Sequence, residues 1–290
     1  MRSYYSLSAY FKNRFGGAVR KIALDAGSSC PNRNGRLSYQ GCLFCNAKGS
    51  GTGLWEQGLN LEQQWEFMRS SGLGKPGLAM AYLQSFSNTY GSLERLQDLL
   101  GQVIRLPGLA GLCLGSRPDC LEREKLLLLA RQNIQEIWLD VGLQSCRDKT
   151  LRLINRGHDS ACFAASCSQA AELGLKVCAH VIAGLPGEEP ADFLATVAMV
   201  NSLPAAGIKF HNLYVPSGTA LAEMWRQGRC RPPDLEDYLL RWLLPALKIL
   251  RPDIVVHRLL AEPAPGESLA PLWSMDKAAF IRRVDQGLCS

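Results

Sequence analysis

The chain has 290 residues, 47% apolar and 20% charged, which fits one large or two modest globular domains and excludes a disordered or fibrous protein. Its formal net charge is +6, and the excess is local: residues 1–36 carry seven basic side chains and one acidic, while the rest balances at 25 of each. No run is long and apolar enough to cross a bilayer, because the most apolar stretch, 238–250, is broken by Arg241, Pro245 and Lys248. The first residues lack the apolar core of a secretory signal, and eleven cysteines without such a signal point to a reducing, cytoplasmic setting.

In chain order, residues 1–20 form a basic arm with one short helix. Tyr4, Tyr5, Tyr10, Phe11 and Phe15 are interleaved there with Arg2, Lys12, Arg14 and Arg20. Two readings stand for this arm: a nucleic-acid surface that contacts phosphates and stacks bases, or a segment that packs its aromatics on the domain. Residues 21–26 (KIALDA) read as a strand leading into the loop 30–46, CPNRNGRLSYQGCLFCN. A helix follows over 60–71 with Asn60 as N-cap, then a buried strand over 78–86. Ser92 caps a helix over 92–106 that Pro107 stops, and a strand over 111–117 precedes a helix over 121–132. The next strand lies within 134–143, followed by helices over 148–155 and 168–173. A long strand over 175–183, a helix over 191–203 and a strand over 208–215 complete the series. Asp234 caps a helix over 234–250, a short strand lies at 254–257, and a helix over 275–286 ends the chain.

Strand followed by helix, six times over, is the pattern of a parallel sheet with right-handed crossovers. The strands are near-continuous apolar runs, as expected when both faces are covered. Six units are too few for a closed eight-fold barrel, so the α/β fold expected is an incomplete (β/α)6 barrel, with a doubly wound open sheet as the alternative. The division expected is an arm, 1–20, a core, 21–218, and a C-terminal extension, 219–290. In either fold the chemistry gathers at the C-terminal ends of the strands.

The loop carries Cys30, Cys42 and Cys45, with eleven residues between the first two and two between the last two. A Cys-x-x-Cys turn aims two thiolates at one point, and Pro31, Gly35 and Gly41 supply the turns that bring back a third. Structural zinc takes four protein ligands, catalytic zinc normally includes His or a carboxylate, and a 4Fe–4S cubane normally takes four thiolates. Three cysteines with no histidine nearer than His158 therefore favour a 4Fe–4S cluster whose fourth iron is left to a non-protein ligand. S-adenosylmethionine (SAM) takes that place in radical enzymes. The other eight cysteines show no ligand spacing; Cys162 and Cys167 read as core residues.

The same residues resemble the radical SAM superfamily, and CPNRNG…GCLFC resembles its YhcC/YtqA-like subfamily, relatives of the elongator-type catalytic subunit. The similarity runs over roughly residues 20–285. It implies a partial TIM barrel, a 4Fe–4S cluster on Cys30, Cys42 and Cys45, and SAM cleaved reductively with an electron from a flavodoxin- or ferredoxin-like donor. It also implies a tRNA substrate, modified at the wobble uridine in the step from carboxymethylaminomethyl to aminomethyl.

The strand ends supply the remaining candidates. QSFSNTYG, 84–91, stands where the superfamily approaches the SAM amino group, which implies Gln84, Asn88 and Thr89 as contacts; a plain Ser/Asn turn is the alternative. In SRPDC, 116–120, Asp119 is a candidate for a cofactor hydroxyl or amine, or else a cap for the helix after it. DVGLQS, 140–145, is similar to the family's Glu-Leu-Gly-X-Gln-Ser, which implies Gln144, with Ser145, at the SAM ribose; Asp140 replaces the usual Glu. The Arg-Gly-His of NRGHD, 155–159, implies Arg156 at the SAM carboxylate. In HVIAGLPGE, 180–188, Gly184 permits close backbone approach to an adenine ring. His180, Lys209 and His211 face one way on neighbouring strands and are the candidates for substrate contact or proton transfer. The C-terminal third departs from the family, with LYVPSGT (213–219) for LHVLKGT and HRLLAE (257–262) for HRLTGD. Two competing readings remain at this point: a radical SAM enzyme acting on a small molecule or peptide, and a non-catalytic metal-binding scaffold.

Overall fold

The computed structural model describes residues 4–49, 51–70, 77–273 and 276–289, so Arg2 of the arm, Ser71 and Met275 lie outside the described residues. The strands are β1 (Arg20–Leu24), β2 (Ala79–Leu83), β3 (Leu109–Ser116), β4 (Ile137–Gln144), β5 (Lys176–Ala183), β6 (Gly207–Asn212), β7 (Val215–Pro216), β8 (Val255–Arg258) and β9 (Ser268–Ala270). The helices are α1 (Leu7–Phe15), α2 (Leu61–Ser70), α3 (Leu93–Val103), α4 (Arg123–Ala130), α5 (Asp148–Leu153), α6 (Ser160–Glu172), α7 (Pro190–Ser202), α8 (Ala220–Arg226), α9 (Leu235–Asp237), α10 (Leu244–Ile249) and α11 (Lys277–Cys289).

The main sheet has seven parallel strands in the order β1-β2-β3-β4-β5-β6-β8. A doubly wound sheet would reverse its order at a switch point. Here each strand adds on the same side, so the sheet curls one way into an incomplete barrel. The strand expected at 254–257 is a full member of it, and β7 and β9 form a small antiparallel pair beside the mouth.

Alternation along the strands sorts the core into two. Leu112, Leu114, Leu139, Val141, Ile208 and Phe210 point outward and pack with helix residues such as Leu96, Phe163 and Phe193. The inward positions at the strand starts, Met80, Tyr82, Cys113, Trp138, Cys178 and Val255, close a second apolar cluster with Phe11 of α1. Higher up, the inner wall is polar. Lys21, Asp140, His180, Lys209 and His211 interrupt runs that otherwise read as apolar throughout.

The N-terminal arm is a plug. Ser6 caps α1, accepting from Ala9 N at 3.3 Å, and Val256 N donates to Tyr5 O at 2.8 Å, which ties the arm to β8. Phe11 is 3% exposed, and Tyr10 stands edge-on to Trp138 at 5.4 Å. The Tyr10 hydroxyl donates to Glu136, which Arg14 Nε reaches at 3.1 Å and Lys176 Nζ at 2.7 Å. Burying an aromatic ring stabilises by about 1.5–3 kcal/mol. Of the two readings of the arm, the structure bears out the one in which its aromatics pack on the domain.

Other boundaries moved for local reasons. α6 begins at Ser160 rather than 168 because the Asp159 side chain caps it, accepting from Cys162 N at 2.8 Å. β2 ends at Leu83, and β6 stops at Asn212. The helix expected over 234–250 is capped by Asp234 as read, but a π-helical stretch, Tyr238–Leu243, separates α9 from α10, just before Pro245, which has no N–H to donate.

Burial alone would push the Glu136 carboxyl up; hydrogen bonds from Lys176, Tyr10 and Arg14 outweigh it and hold it below its usual value of 4.5. A depressed carboxyl contributes stability that is present above its unfolded value and lost as pH falls through the folded one. Glu136→Gln is expected to lower stability at neutral pH by about 1.5–3 kcal/mol and to flatten the loss of stability below the usual carboxylate pKa. Denaturant titrations of both proteins across that range measure it.

Candidate active site

The cysteine loop has no strand or helix of its own, and neighbours hold it in place. At its start, Gln64 of α2 accepts from Asp25 N at 2.8 Å and donates to Asp25 O at 2.9 Å. Asn60 and Gln63 form the reciprocal cap that sets α2 in position. Arg33 closes the Cys-x-x-Cys turn, its Nη2 donating to Cys45 O at 2.6 Å and Asn46 O at 2.7 Å. Gly41, at φ 72°, lets its N–H reach Asn32 O at 2.7 Å. The β4–α6 connection grips the other side: Asn155 Nδ2 donates to Gly41 O at 2.7 Å, and Leu43 N to Ile154 O at 3.1 Å.

Cys30, Cys42 and Cys45 are all free thiols. They lie in each other's electrostatic field: burial, then Cys42, then Cys30 push the Cys45 thiol up, against Arg33. Donors surround the sulfurs. Arg156 Nη1 and Asn32 Nδ2 each lie 3.6 Å from Cys42 Sγ, and Arg117 is close enough to feel Cys30 and Cys42. Arg156 Nε and Arg117 Nη1 are buried without a partner. Convergent thiols inside a ring of cationic donors, two of them unspent, fit a thiolate-bound cluster and an anionic ligand beside it.

The strand ends divide into structural and available groups. Asn88 is committed to the scaffold: its amide donates to Leu83 O at 2.9 Å and Gly115 O at 3.1 Å and accepts from Ser28 Oγ at 2.8 Å. Thr89 is hydrogen-bonded to Ser116, and Gln84 is half-buried at the end of β2. Asp119 does not cap α4, whose N-cap is Glu122; both its oxygens accept from Arg117, at 2.8 Å each. Gln144 takes φ 72° where the β4–β5 register breaks. A Cβ on Gly142 would fall 2.4 Å from Arg156 Nη2 and 2.5 Å from Gln144 Nε2, so glycine makes room for both side chains. Ser145 donates to Glu188, whose Oε2 is buried without a partner. Gly184 permits close approach of Pro233, whose Cδ would stand 2.4 Å from a Cβ.

Below this ledge, the structure brings His180, Lys209 and His211 together around Asp140. Lys209 Nζ donates to Asp140 Oδ2 and to the Tyr82 hydroxyl, both at 2.8 Å, and His180 Nε2 lies 3.4 Å from the same carboxylate oxygen. Burial alone would push the Asp140 carboxyl up; Lys209 and Lys21 overturn that and hold it well below the carboxylate range. Burial, then Lys209, depress His180 to about 4, and burial with Arg258 holds His211 well below its usual value, so both imidazoles are neutral at pH 7. Asp140, Cys178 and His180 place ligand atoms within 4.8 Å of one another, but the Lys209 ammonium already sits against Asp140, where a cation would. The sequence reading gave no role to Lys21, His257 or Arg258, whose one signal was inward strand register or a place at a strand end; Arg117 pairs with Asp119, as two such residues at a strand mouth can.

A parallel half-barrel with convergent thiols at its C-terminal mouth defines a class of cluster-bearing enzyme, and comparison with known proteins agrees. Residues 39–200 match the Radical SAM superfamily and 205–289 the Radical_SAM C-terminal domain. Protein YhcC of Escherichia coli (strain K12) is 36% identical over 95% of this chain and 89% of its own length. A shorter stretch, 42% of this chain and 27% of the relative, is 32% identical to the tRNA uridine(34) acetyltransferase of Dehalococcoides mccartyi (strain CBDB1). Among solved structures, Methanocaldococcus infernus Elp3 with an N-terminal deletion superposes with a TM-score of 0.71 at 16% identity, covering 92% of this chain and 62% of that one. The chain belongs to the radical SAM superfamily, in its YhcC-like branch related to elongator proteins. It is a radical SAM enzyme, and its cofactors are a 4Fe–4S cluster and SAM.

Removing one partner of a buried ion pair strands the other. Asp140→Asn is expected to destabilise the protein by about 3–5 kcal/mol, measured by chemical denaturation, because Lys209 and Lys21 lose their shared carboxylate.

Proposed function

We propose that Cys30, Cys42 and Cys45 hold the cluster and that the enzyme modifies the wobble uridine of tRNA, at the step from carboxymethylaminomethyl to aminomethyl. The observation that carries the assignment is the meeting of three free thiols with the unspent donors of Arg156 and Arg117. When bound, cluster and SAM supply one-electron chemistry able to open an unactivated C–H bond.

The chain's own residues do the rest. Arg156 shields the Cys42 sulfur and offers its free Nε–H to the SAM carboxylate. Gln144, held in the left-handed region beside Gly142, and Ser145 line the ribose position, with Gln84, Thr89 and Asp119 on the facing side of the mouth. Asn88 acts by bracing the ends of β2 and β3 beneath them. His180, Lys209 and His211 form the floor on which substrate rests, with Lys209 fixed by Asp140 and Tyr82. Burial of this floor keeps water from the reacting carbon.

Two facts support a tRNA substrate. The partly matching relative from Dehalococcoides is by name an enzyme of tRNA uridine 34. The rim of the mouth is aromatic and basic: Tyr39 is 79% exposed and lies on Gly35, Trp55 is 48% exposed and lies on Gly27, and Arg36 stacks over Tyr90 at 5.9 Å. Flat rings beside cations suit stacked bases and phosphates. An external one-electron donor of the flavodoxin or ferredoxin type completes the reaction.

Each of Cys30→Ala, Cys42→Ala and Cys45→Ala is expected to abolish iron retention and SAM cleavage after anaerobic reconstitution; retained iron in any one would remove that cysteine from the site. Tyr39→Ala is expected to weaken tRNA binding by about 1–3 kcal/mol, and Arg36→Gln to lower the salt slope by about 1. Filter binding against salt reads both. Modified-nucleoside profiles of tRNA from cells with and without the gene test the step itself: an unchanged ratio of the two uridines contradicts it.

A further inference from the structure

Charges inside the half-barrel do not balance. Lys21, Lys209 and Arg258 bring three cations to the inner wall, and Asp140 is the one acid among them in the described structure. The histidines add nothing at neutral pH. Asp140 is shared by the two lysines, and Lys21 also contacts His257 Nδ1 at 3.2 Å. Arg258, at the upper end of β8, is left over. Its side chain makes no hydrogen bond or ion pair among the described residues, and the strand register sets it beside Lys209, which pairs with His180 on the other side and lies two residues before His211.

Of the acids at the mouth, Asp119 is paired with Arg117, and the others accept from neutral donors. Glu267 accepts from Asn46, from the Tyr214 hydroxyl and from Ala264 N; Asp25 accepts from Ser85 and Gly27 N; Glu188 accepts from Ser145. Beside Arg258 stand two imidazoles whose rings lie 5.4 Å apart. His211 Nε2 is buried and unpaired, whereas His180 Nε2 lies 3.4 Å from Asp140 Oδ2. A guanidinium without an ion pair and a buried imidazole nitrogen without a partner line one region of the wall. Two unsatisfied polar groups together describe a receptor for an anion.

We infer that Arg258, with His180 and His211, receives a carboxylate of the substrate inside the barrel, and so selects the form of the substrate that bears the carboxylate over the form that lacks it. A planar carboxylate matches the two-pronged guanidinium, while the phosphates of an RNA would stay at the rim. The inference rests on the proposed substrate in one respect, that its carboxymethyl arm is the part inserted. Arg258 is a specificity-determining residue on this account.

Two measurements test it on the cluster-loaded protein with SAM present. Acetate at constant ionic strength is expected to raise the unfolding temperature of the wild type by roughly 2–4 °C and that of Arg258→Gln not at all, while the anion-free variant unfolds no lower than the wild type. Equal protection of both proteins, protection by inorganic phosphate but not acetate, or a large anion-free loss in the variant would overturn the site. In the second measurement, anticodon stem-loops carrying the carboxymethylaminomethyl or the aminomethyl side chain compete for binding. The wild type is expected to prefer the carboxylate form at least tenfold, Arg258→Lys to keep part of that preference and Arg258→Gln none; full preference in Arg258→Gln overturns the proposal. If neither stem-loop binds while acetate still protects through Arg258, the tRNA reading fails and the carboxylate site stands.

Discussion

The site depends on how a loop without secondary structure is held still. The Ile154–Arg156 turn does most of this. Ile154 O receives Leu43 N, Asn155 reaches Gly41 O, and Arg156 Nη1 meets the Cys42 sulfur. Asn155 adopts φ 52° to do so, a strained position for a side chain with a Cβ. Arg33 and Gln64 fix the rest of the loop from within and from α2. The loop that carries three thiols over sixteen positions of sequence is thus held by groups from β4–α6, α2 and the loop itself.

Beneath the loop, the barrel wall separates two kinds of packing by strand alternation alone. The outward set makes an ordinary apolar core with the helices. The inward set starts apolar, sealed by Phe11 and Trp138, and turns charged toward the mouth. Burial normally excludes such a density of ionisable groups. Asp140 makes it tolerable for Lys21 and Lys209, and the histidines meet it by staying neutral. The result is a dry, donor-rich floor under a mouth rimmed by rings and arginines.

Much of this was legible in the sequence, and the exceptions have physical causes. The cysteine spacing, the strand–helix alternation and the caps at Asn60, Ser92 and Asp234 are local signals and stand in the structure where they were read. The Ser160 start of α6 was hidden because Gly157, His158 and Asp159 look like loop residues until Asp159 is seen as a cap. The neighbour that Gly184 makes room for, Pro233, is 49 positions away and cannot be inferred from spacing. The arm showed the residues of an RNA surface; only the tertiary contacts of Tyr10 with Trp138 and Glu136 reveal a plug. Arg258 gave only its place at a strand end, since an Arg after a His on a short strand has meaning only beside the two histidines of β5 and β6.

The central claim is an iron that no protein side chain completes. Electron–nuclear double resonance on the reduced, reconstituted protein, with SAM isotopically labelled at its amino nitrogen, tests it most directly. The account predicts a hyperfine coupling between that nitrogen and the cluster, absent before SAM is added. A spectrum that SAM leaves unchanged, with a fourth protein ligand on the cluster, would contradict it.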